Sequence, residues 1–583
     1  MLLGLAACLL VSYSVKSDES ASYKLASRGA NSMFALQGNP MRELIERYES
    51  DRSALARFFP ISISPSRAER FKKLYADTRS DLNGVNFGGL DADGKLDWVL
   101  TENMLTYNER RLELDEKERL DAVPFVPFEK DVIEMAEARQ RMEKVDGQAA
   151  AARLDKIRDA ITEKQKALDK DLADKKKFDK PVIFRAAALT DQLRGHLREW
   201  FEFYKGYDPV FTWWCAEPHK KADEAIVAYA KFLREKVIGL KPDDKDAIVG
   251  DPVGEARLME DLRNEFIPYT PAELIAIAEK EYAWCEAEMK KASREMGFGD
   301  DWRKALEKVK TLHVAPGEQP NLIREQALEA IEYVEKHELV TVPPLAKETW
   351  RMNMMSPERQ KVSPFFLGGE TIMVSFPTDT MSHDEKLMSL RANNIHFARA
   401  TVHHELIPGH HLQQFMNQRH KPYRRSFSTP FWTEGWALWF EFLLWDLGFP
   451  LSPENKVGML FWRMHRCVRI VFSLSFHLGK MTPEECIKML VDRVGHEQST
   501  AEGEVRRSFG GQYPPLYQAA YMLGALQFKA MAKEMVGPGK MTYRQFHDAI
   551  LKEHNIPVAA LRAKLRGLPI EKGFDPKWRF YDN

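Results

Sequence analysis

Residues 403–411 read His-His-Glu-Leu-Ile-Pro-Gly-His-His. Four imidazoles and a carboxylate this dense are the ligand and base set of a zinc hydrolase. In the common H-E-x-x-H arrangement, histidines at i and i+4 share a helix face and the intervening glutamate is the general base. Here the position four after His404 is Pro408, and the next histidines, His410 and His411, follow at +6 and +7. On an unbroken helix His404 and His410 would point ~120° apart and lie ~9 Å apart. His404 and His411 would share a face but sit ~10.5 Å apart along the axis. Neither pair closes on one ion through Zn–N bonds of ~2.0 Å. Pro408 cannot donate to the carbonyl of His404, and Gly409 allows unusual φ values. The sequence therefore predicts a broken or bulged helix at 408–409, with His410 swung back beside His404.

A further carboxylate is implied downstream. Residues 432–447 read as an apolar helix with Glu434 near its start, 24 residues after His410. A carboxylate among Trp436, Trp439 and Phe442 is costly unless it meets a cation. That cation is either a metal or an arginine, with Arg424, Arg425 and the arginines near 463 as the alternatives. Glu441 lies seven residues after Glu434, on the same face, placed to orient a ligand histidine or to serve as ligand itself. His403 and His411 stay open between ligand support, substrate contact and surface positions. His396, His420, His465 and His496 read as ordinary structural residues.

Composition sets the bounds around this cluster. A chain of 583 residues is too long for one ordinary core, so two or more lobes are expected. Its 85 basic and 86 acidic residues nearly cancel, which gives no argument for nucleic acid or an anionic membrane surface. The five cysteines, Cys8, Cys215, Cys285, Cys467 and Cys486, form no C-x-x-C pair and read as scattered free thiols. Residues 1–15 are apolar and uncharged, like the hydrophobic part of a secretory signal. Leu5-Ala6-Ala7-Cys8 resembles a bacterial lipobox, and the competing reading of this stretch is a buried helix. No other stretch approaches ~20 uninterrupted apolar residues, so no transmembrane domain is expected.

The remaining pattern is helical. Residues 40–115 read as amphipathic helices, and 128–180 as long solvent-exposed helices rich in Glu, Lys, Ala and Asp. Helices continue over 187–204 and 220–237, followed by a connector at 239–255. Thr270-Pro271-Ala272-Glu273 carries an N-cap, a proline at the first helical position and an early acid. It should open a helix reaching about Met296. Residues 338–342 and 371–376 are the strand candidates, a small sheet beside the metal-binding helices. Gly368-Gly369-Glu370 precedes the second of them, where an edge strand would pair with an extended peptide. The expected organisation is a signal or lipoprotein-like segment at 1–20, an N-terminal helical lobe at 21–255 and a catalytic lobe at 256–583.

The run His404 to Gln413, H-E-x-x-P-G-H-H-x-Q, resembles the signature of a bacterial family designated domain of unknown function 885. Glu434-Gly435-Trp436-Ala437 with Phe440-Glu441, Arg424-Arg425, and Arg463, Arg466, Arg469 and His477 match it as well. Because that family is grouped with H-E-x-x-H zinc peptidases, the resemblance implies zinc held by His404, His410 and Glu434, with Glu405 as base. It also implies a mainly α, two-lobed, gluzincin-like fold with a deep cleft. His477 and Tyr521 are the candidate donors to a tetrahedral oxyanion. The family usually carries a glutamine four residues before this tyrosine. Here Tyr517 stands in that place and Gln518 is three away. Arg506 or Arg507 would fork onto a substrate carboxylate or else form a structural ion pair. The expected activity is hydrolysis of peptides outside the cytoplasm, by a protein anchored through Cys8. Residue chemistry alone reaches metal-assisted hydrolysis, which leaves a zinc amidohydrolase on non-peptide amides and a non-catalytic metal-binding scaffold as alternatives.

Overall fold

A computed structural model describes residues 39–581 apart from 241–246, 361–362, 364 and 512. The apolar N-terminal stretch and Cys8 lie outside the described residues. The protein is mainly helical, with one two-stranded parallel sheet. Among the described residues no helix is long and apolar enough to cross a membrane. Cys215, Cys285, Cys467 and Cys486 are buried free thiols, as their scattered spacing implies.

The helix starts follow local chemistry. Thr270 caps the helix Pro271–Glu295 through a full capping box with Glu273, and a proline occupies its first position, as expected. The expected 128–180 helices appear as Glu129–Gln140 and Gly147–Ala173. The second is not solvated all round. Leu154, Ile157, Ile161 and Leu168 recur at helical spacing and pack into a core shared with Lys180–Tyr204 and Pro209–Phe232.

A second, larger core surrounds the histidine segment. Two helices, Pro430–Asp446 and Pro453–His477, are buried over nearly their whole length. The helix Tyr517–Met535 packs on Pro430–Asp446 at Gly435 and Gly524, where a Cβ on Gly524 would overlap the carbonyl of Phe431. Backbones this close leave no room for a side chain. The helices Pro40–Phe58 and Ala92–Ala122 also send Ile45, Leu96 and Leu100 into this core.

Of the two strand candidates, only one forms. Thr371–Val374 is a strand, but its partner is Arg351–Met354, in parallel with Arg351 opposite Thr371. Residues 338–342 are not a strand. Leu339, Val340 and Val342 are buried, but their polar groups are taken by the helix Tyr543–Leu551. The Thr341 N–H donates to Asp548 and the Leu339 carbonyl meets His547. Pro343 and Pro344 follow directly and cannot donate to a ladder. Ile372 and Val374 alternate inward and pack on Ala398, Val402 and Leu406. The sheet thus braces the back of the helix Ile395–Glu405, which carries the first site histidine.

Candidate metal centre

The helix Ile395–Glu405 begins under Asn394, whose side chain accepts from the N–H groups of His396 and Phe397. It ends at Glu405, and a new helix, His410–Asn417, starts after the Pro-Gly step. The predicted break is therefore where Pro408 and Gly409 place it. The Gly409 N–H reaches back to the His403 carbonyl at 3.0 Å, and a Cβ there would overlap the carbonyl of His404. Trp436 pins the turn by donating to the Pro408 carbonyl at 2.8 Å. The break brings the His410 ring to 4.9 Å from the His404 ring, perpendicular to it.

Glu434 projects into the same space from the first turns of Pro430–Asp446 and is 3% exposed. Its Oε2 lies 3.5 Å from His404 Nε2 and 3.3 Å from His410 Nε2. Ligands at the corners of a tetrahedron with bonds of ~2.0 Å stand ~3.3 Å apart, so these spacings fit one zinc-sized ion. All three donor atoms lie within 4.8 Å of one another. Glu434 Oε2 is buried and accepts no hydrogen bond among the described residues. Of the arginine alternatives, Arg424 pairs with Asp93, Asp97 and Glu553, and Arg463 with Glu281, while Arg466 stands 3.8 Å from Glu441.

The residues behind the triad hold its rings. Glu441 Oε1 meets His404 Nδ1 at 2.7 Å, leaving Nε2 to face Glu434. The Gln413 amide contacts His410 Nδ1 at 3.0 Å and donates to the Thr433 carbonyl at 2.9 Å. The Tyr517 hydroxyl donates to Glu434 Oε1. Burial disfavours a charged His404, but the carboxylates of Glu434 and Glu441 facing its two ring nitrogens outweigh it and lift its pKa to about 9. Burial also opposes ionisation of Glu434, yet the facing His410 and His404 hold it well below the usual carboxylate range. Two buried carboxylates and the partly buried Glu405 around two imidazoles make a pocket that favours a cation.

Glu405 completes the group. Its Oε2 is 3.9 Å from His410 Nε2, and burial raises its pKa against the opposing pull of His404 and His410. Gly368 and Gly369 lie flat on it. The Gly369 N–H donates to the Glu405 carbonyl at 3.2 Å, and a Cβ on Gly368 would overlap the Glu405 carboxylate. Leu367 folds back and bridges Met373, so the free edge of the strand Thr371–Val374 is taken at that residue.

Tyr521 is brought to the site and His477 is not. The Tyr521 ring stacks on His404 at 6.1 Å, and its hydroxyl accepts from Arg507 at 3.2 Å. His477 contacts Phe476 and Phe509 at the far end of its helix. It lies eleven residues beyond Arg466, the helix residue that faces Glu441, or ~16 Å along the axis. The open histidines also resolve. Among the described residues both ring nitrogens of His403 lack hydrogen-bond partners, and burial drives its pKa down to about 3, so it is a neutral core residue. His411 Nε2 meets the Ala346 carbonyl at 2.7 Å. Sequence reasoning assigned no role to Tyr517 or Gln413. Their signal was spacing: Tyr517 is one turn before Tyr521, and Gln413 one turn after His410.

A buried His-His-Glu centre on a mainly helical scaffold defines the class. The chain belongs to the family described as bacterial protein of unknown function (DUF885), whose profile matches residues 61–565. Among solved structures it is similar to a "putative lipoprotein of unknown function" from Shewanella oneidensis, at 17% identity and a TM-score of 0.67. That likeness covers 90% of this chain and 99% of the other. It is also similar to a "putative lipoprotein" from Colwellia psychrerythraea, at 17% identity and a TM-score of 0.57, covering 91% and 99%. No curated protein matches the chain. At these identities the likeness speaks for the fold.

Proposed function

We propose that this protein is a zinc-dependent metallopeptidase, with His404, His410 and Glu434 as the metal ligands and Glu405 as the general base. The observation that carries this reading is the orphaned Glu434 oxygen at tetrahedral spacing from two imidazoles, with a second carboxylate 3.9 Å from one of them. A zinc ion held there would polarise a scissile carbonyl and lower the pKa of a water molecule. Glu405 accepts the proton lost as water attacks the carbonyl carbon. It returns that proton to the amide nitrogen as the C–N bond breaks. Burial raises its pKa, which makes it a stronger proton acceptor. Tyr521 accepts from Arg507, so its own hydroxyl hydrogen is free to be donated to the developing oxyanion. Glu441, Gln413 and Tyr517 fix the ligands.

The reading places the protein outside the cytoplasm, anchored through a lipid on Cys8. The lipobox-like Leu5-Ala6-Ala7-Cys8 and the names of the two structural neighbours support this. It also assigns the catalytic lobe to residues 256–583, covered by an N-terminal lobe.

The test is metal analysis with peptide-library turnover on the wild type and on Glu405→Gln. The expected result is about one zinc per chain in both proteins. Turnover in the variant should fall by about 10³-fold or more, since base and acid are lost together. Turnover that survives the substitution would end the mechanism.

A further inference from the structure

Three arginines converge on Tyr521 with too little anion around them. The guanidinium of Arg466 lies 4.9 Å from the Tyr521 ring centroid and that of Arg469 4.5 Å, while Arg507 donates to its hydroxyl. All three are buried. Among the described residues, two carboxylates lie within ion-pair distance of them. Glu504 pairs with Arg469 at 2.7 Å, and Glu441, already spent on His404, stands 3.8 Å from Arg466. Among the described residues no carboxylate lies within ion-pair distance of Arg507. Among the described residues, Arg466 Nε, Arg469 Nε and Nη1, and Arg507 Nε donate to no partner. Guanidinium groups are rarely buried with donors unspent, because each costs the desolvation of a charged N–H. The neighbouring His465 and His496 bond to each other and bring no negative charge.

The location is as informative as the charge. Arg507 lies under the half-buried Tyr513, with its guanidinium 4.6 Å from that ring. Tyr513 packs on Tyr517 at 4.4 Å, and the Tyr517 hydroxyl rests on Glu434. Arg507 is therefore separated from the metal centre by a single layer of tyrosine, on the side where Tyr513 and Tyr517 reach solvent. An extended peptide advances ~3.5 Å per residue, so a group bound at Arg507 is within about three residues of a bond cleaved at the triad.

We propose that Arg507, supported by Arg466 and Arg469 around Tyr521, is a subsite for a substrate carboxylate, which selects peptides bearing that charge close to the scissile bond. The planar fork of arginine suits bidentate contact with a carboxylate. One bound carboxylate would set three anions against the three cations. This inference rests on the peptidase reading for its substrate but not for its charge.

The experiment compares three randomised, N-acetylated pentapeptide libraries: free acids, C-terminal amides, and amides carrying a penultimate or final glutamate. Affinity capture on zinc-loaded Glu405→Gln protein measures binding without turnover, and mass spectrometry of the wild-type reaction measures cleavage. Free acids should be captured and cleaved about tenfold or more in preference to plain amides. Recovery by the glutamate amides would identify a side-chain carboxylate as the ligand, and its absence the terminal one. In Arg507→Gln, and less so in Arg507→Lys, the preference should fall towards unity at unchanged zinc content. Cleavage with no preference for a carboxylate in the wild type would overturn the subsite and leave the peptidase standing. Carboxylate-dependent capture with no cleavage by the wild type would overturn the peptidase and leave the subsite. The wild-type comparison holds even where an Arg507 variant fails to fold.

Discussion

Two clusters of buried charge in this protein are built on opposite rules. At the first, Arg424 is fully buried and bonds Asp97 at 2.6 Å, Asp93 at 2.8 Å and Glu553 at 2.6 Å. Lys421 and Lys564 join the last two, and the Tyr423 hydroxyl closes on Asp97. Three cations meet three anions, and the cluster ties the helix Ala92–Ala122 to the C-terminal helices. At the second, Glu405, Glu434 and Glu441 surround two imidazoles, and the nearest guanidinium is 3.8 Å from Glu441. Among the described residues one cluster is complete, and the other has a carboxylate oxygen with no hydrogen-bond partner. A closed cluster is a structural tie. An open one at this spacing could hold a metal ion, which would supply the missing charge from outside.

The comparison breaks first at the ligands. His410→Ala or Glu434→Ala should remove stoichiometric zinc and lower peptide turnover by about 10³-fold or more. Arg424→Met should do the reverse. Leaving Asp97 buried without its cation should cost about 3–5 kcal/mol of stability, read as a lower denaturant midpoint. Zinc content and kcat per folded molecule should not change. Chelation should lower the wild-type Tm by withdrawing a ligand of the native state, and lower that of Arg424→Met by a similar increment, since the clusters share no residue. A variant of Arg424 that loses zinc at full folding would erase the distinction.

The sequence showed the open cluster better than the closed one, for physical reasons. The break at Pro408-Gly409 is a local consequence of a missing N–H and a missing Cβ, so it was legible from two residues. Glu434 and Glu441 were legible because an acidic residue on a wholly apolar helix has few acceptable partners. Arg424, by contrast, looked like a rival for Glu434, since its true partners Asp93 and Asp97 lie more than 300 residues earlier in the chain. The strand 351–354 escaped notice because Arg-Met-Asn-Met is short, mostly exposed and without a β-branched or aromatic residue, and pairing with 371–374 forms it. The β-branched run at 338–342 misled in the other direction, because His547 and Asp548 compete for its backbone. His477 shares a helix with Arg466 and matched the family pattern, but eleven residues of helix separate them. Residue type carried the ligands; the supporting shell of Tyr517 and Gln413 needed the packing of helices.

A smaller effect tests the residues that orient the ligands. Glu441→Gln keeps the shape of the side chain that holds His404 but removes its charge. Loss of such a partner typically costs about 10–100-fold in metal affinity. The expected reading is a zinc dissociation constant raised by that factor, with the stability of the metal-free protein little changed. An unaltered constant would mean that Glu441 is only a packing element.

Glu265 shows a third way to bury a carboxylate, and it supplies the smallest predicted effect. It has neither a cation nor a metal site. Burial raises its pKa to about 8, against the hydrogen bond from Thr429, with Asp261 adding to the rise. Thr429 Oγ1 donates to it at 2.6 Å while capping the helix that carries Glu434. With no compensating charge, the folded protein keeps the carboxyl protonated where the unfolded chain has released the proton. The unfolded state then binds fewer protons, so stability falls as pH rises from the ordinary carboxylate pKa of about 4.5 towards 8, and levels off above it. Glu265→Gln stays neutral throughout and should escape this loss. Its Tm should match the wild type near pH 5 and exceed it by about 1–3 °C near pH 8. Equal melting at both pH values would show that Glu265 finds a cation after all and belongs with the closed cluster.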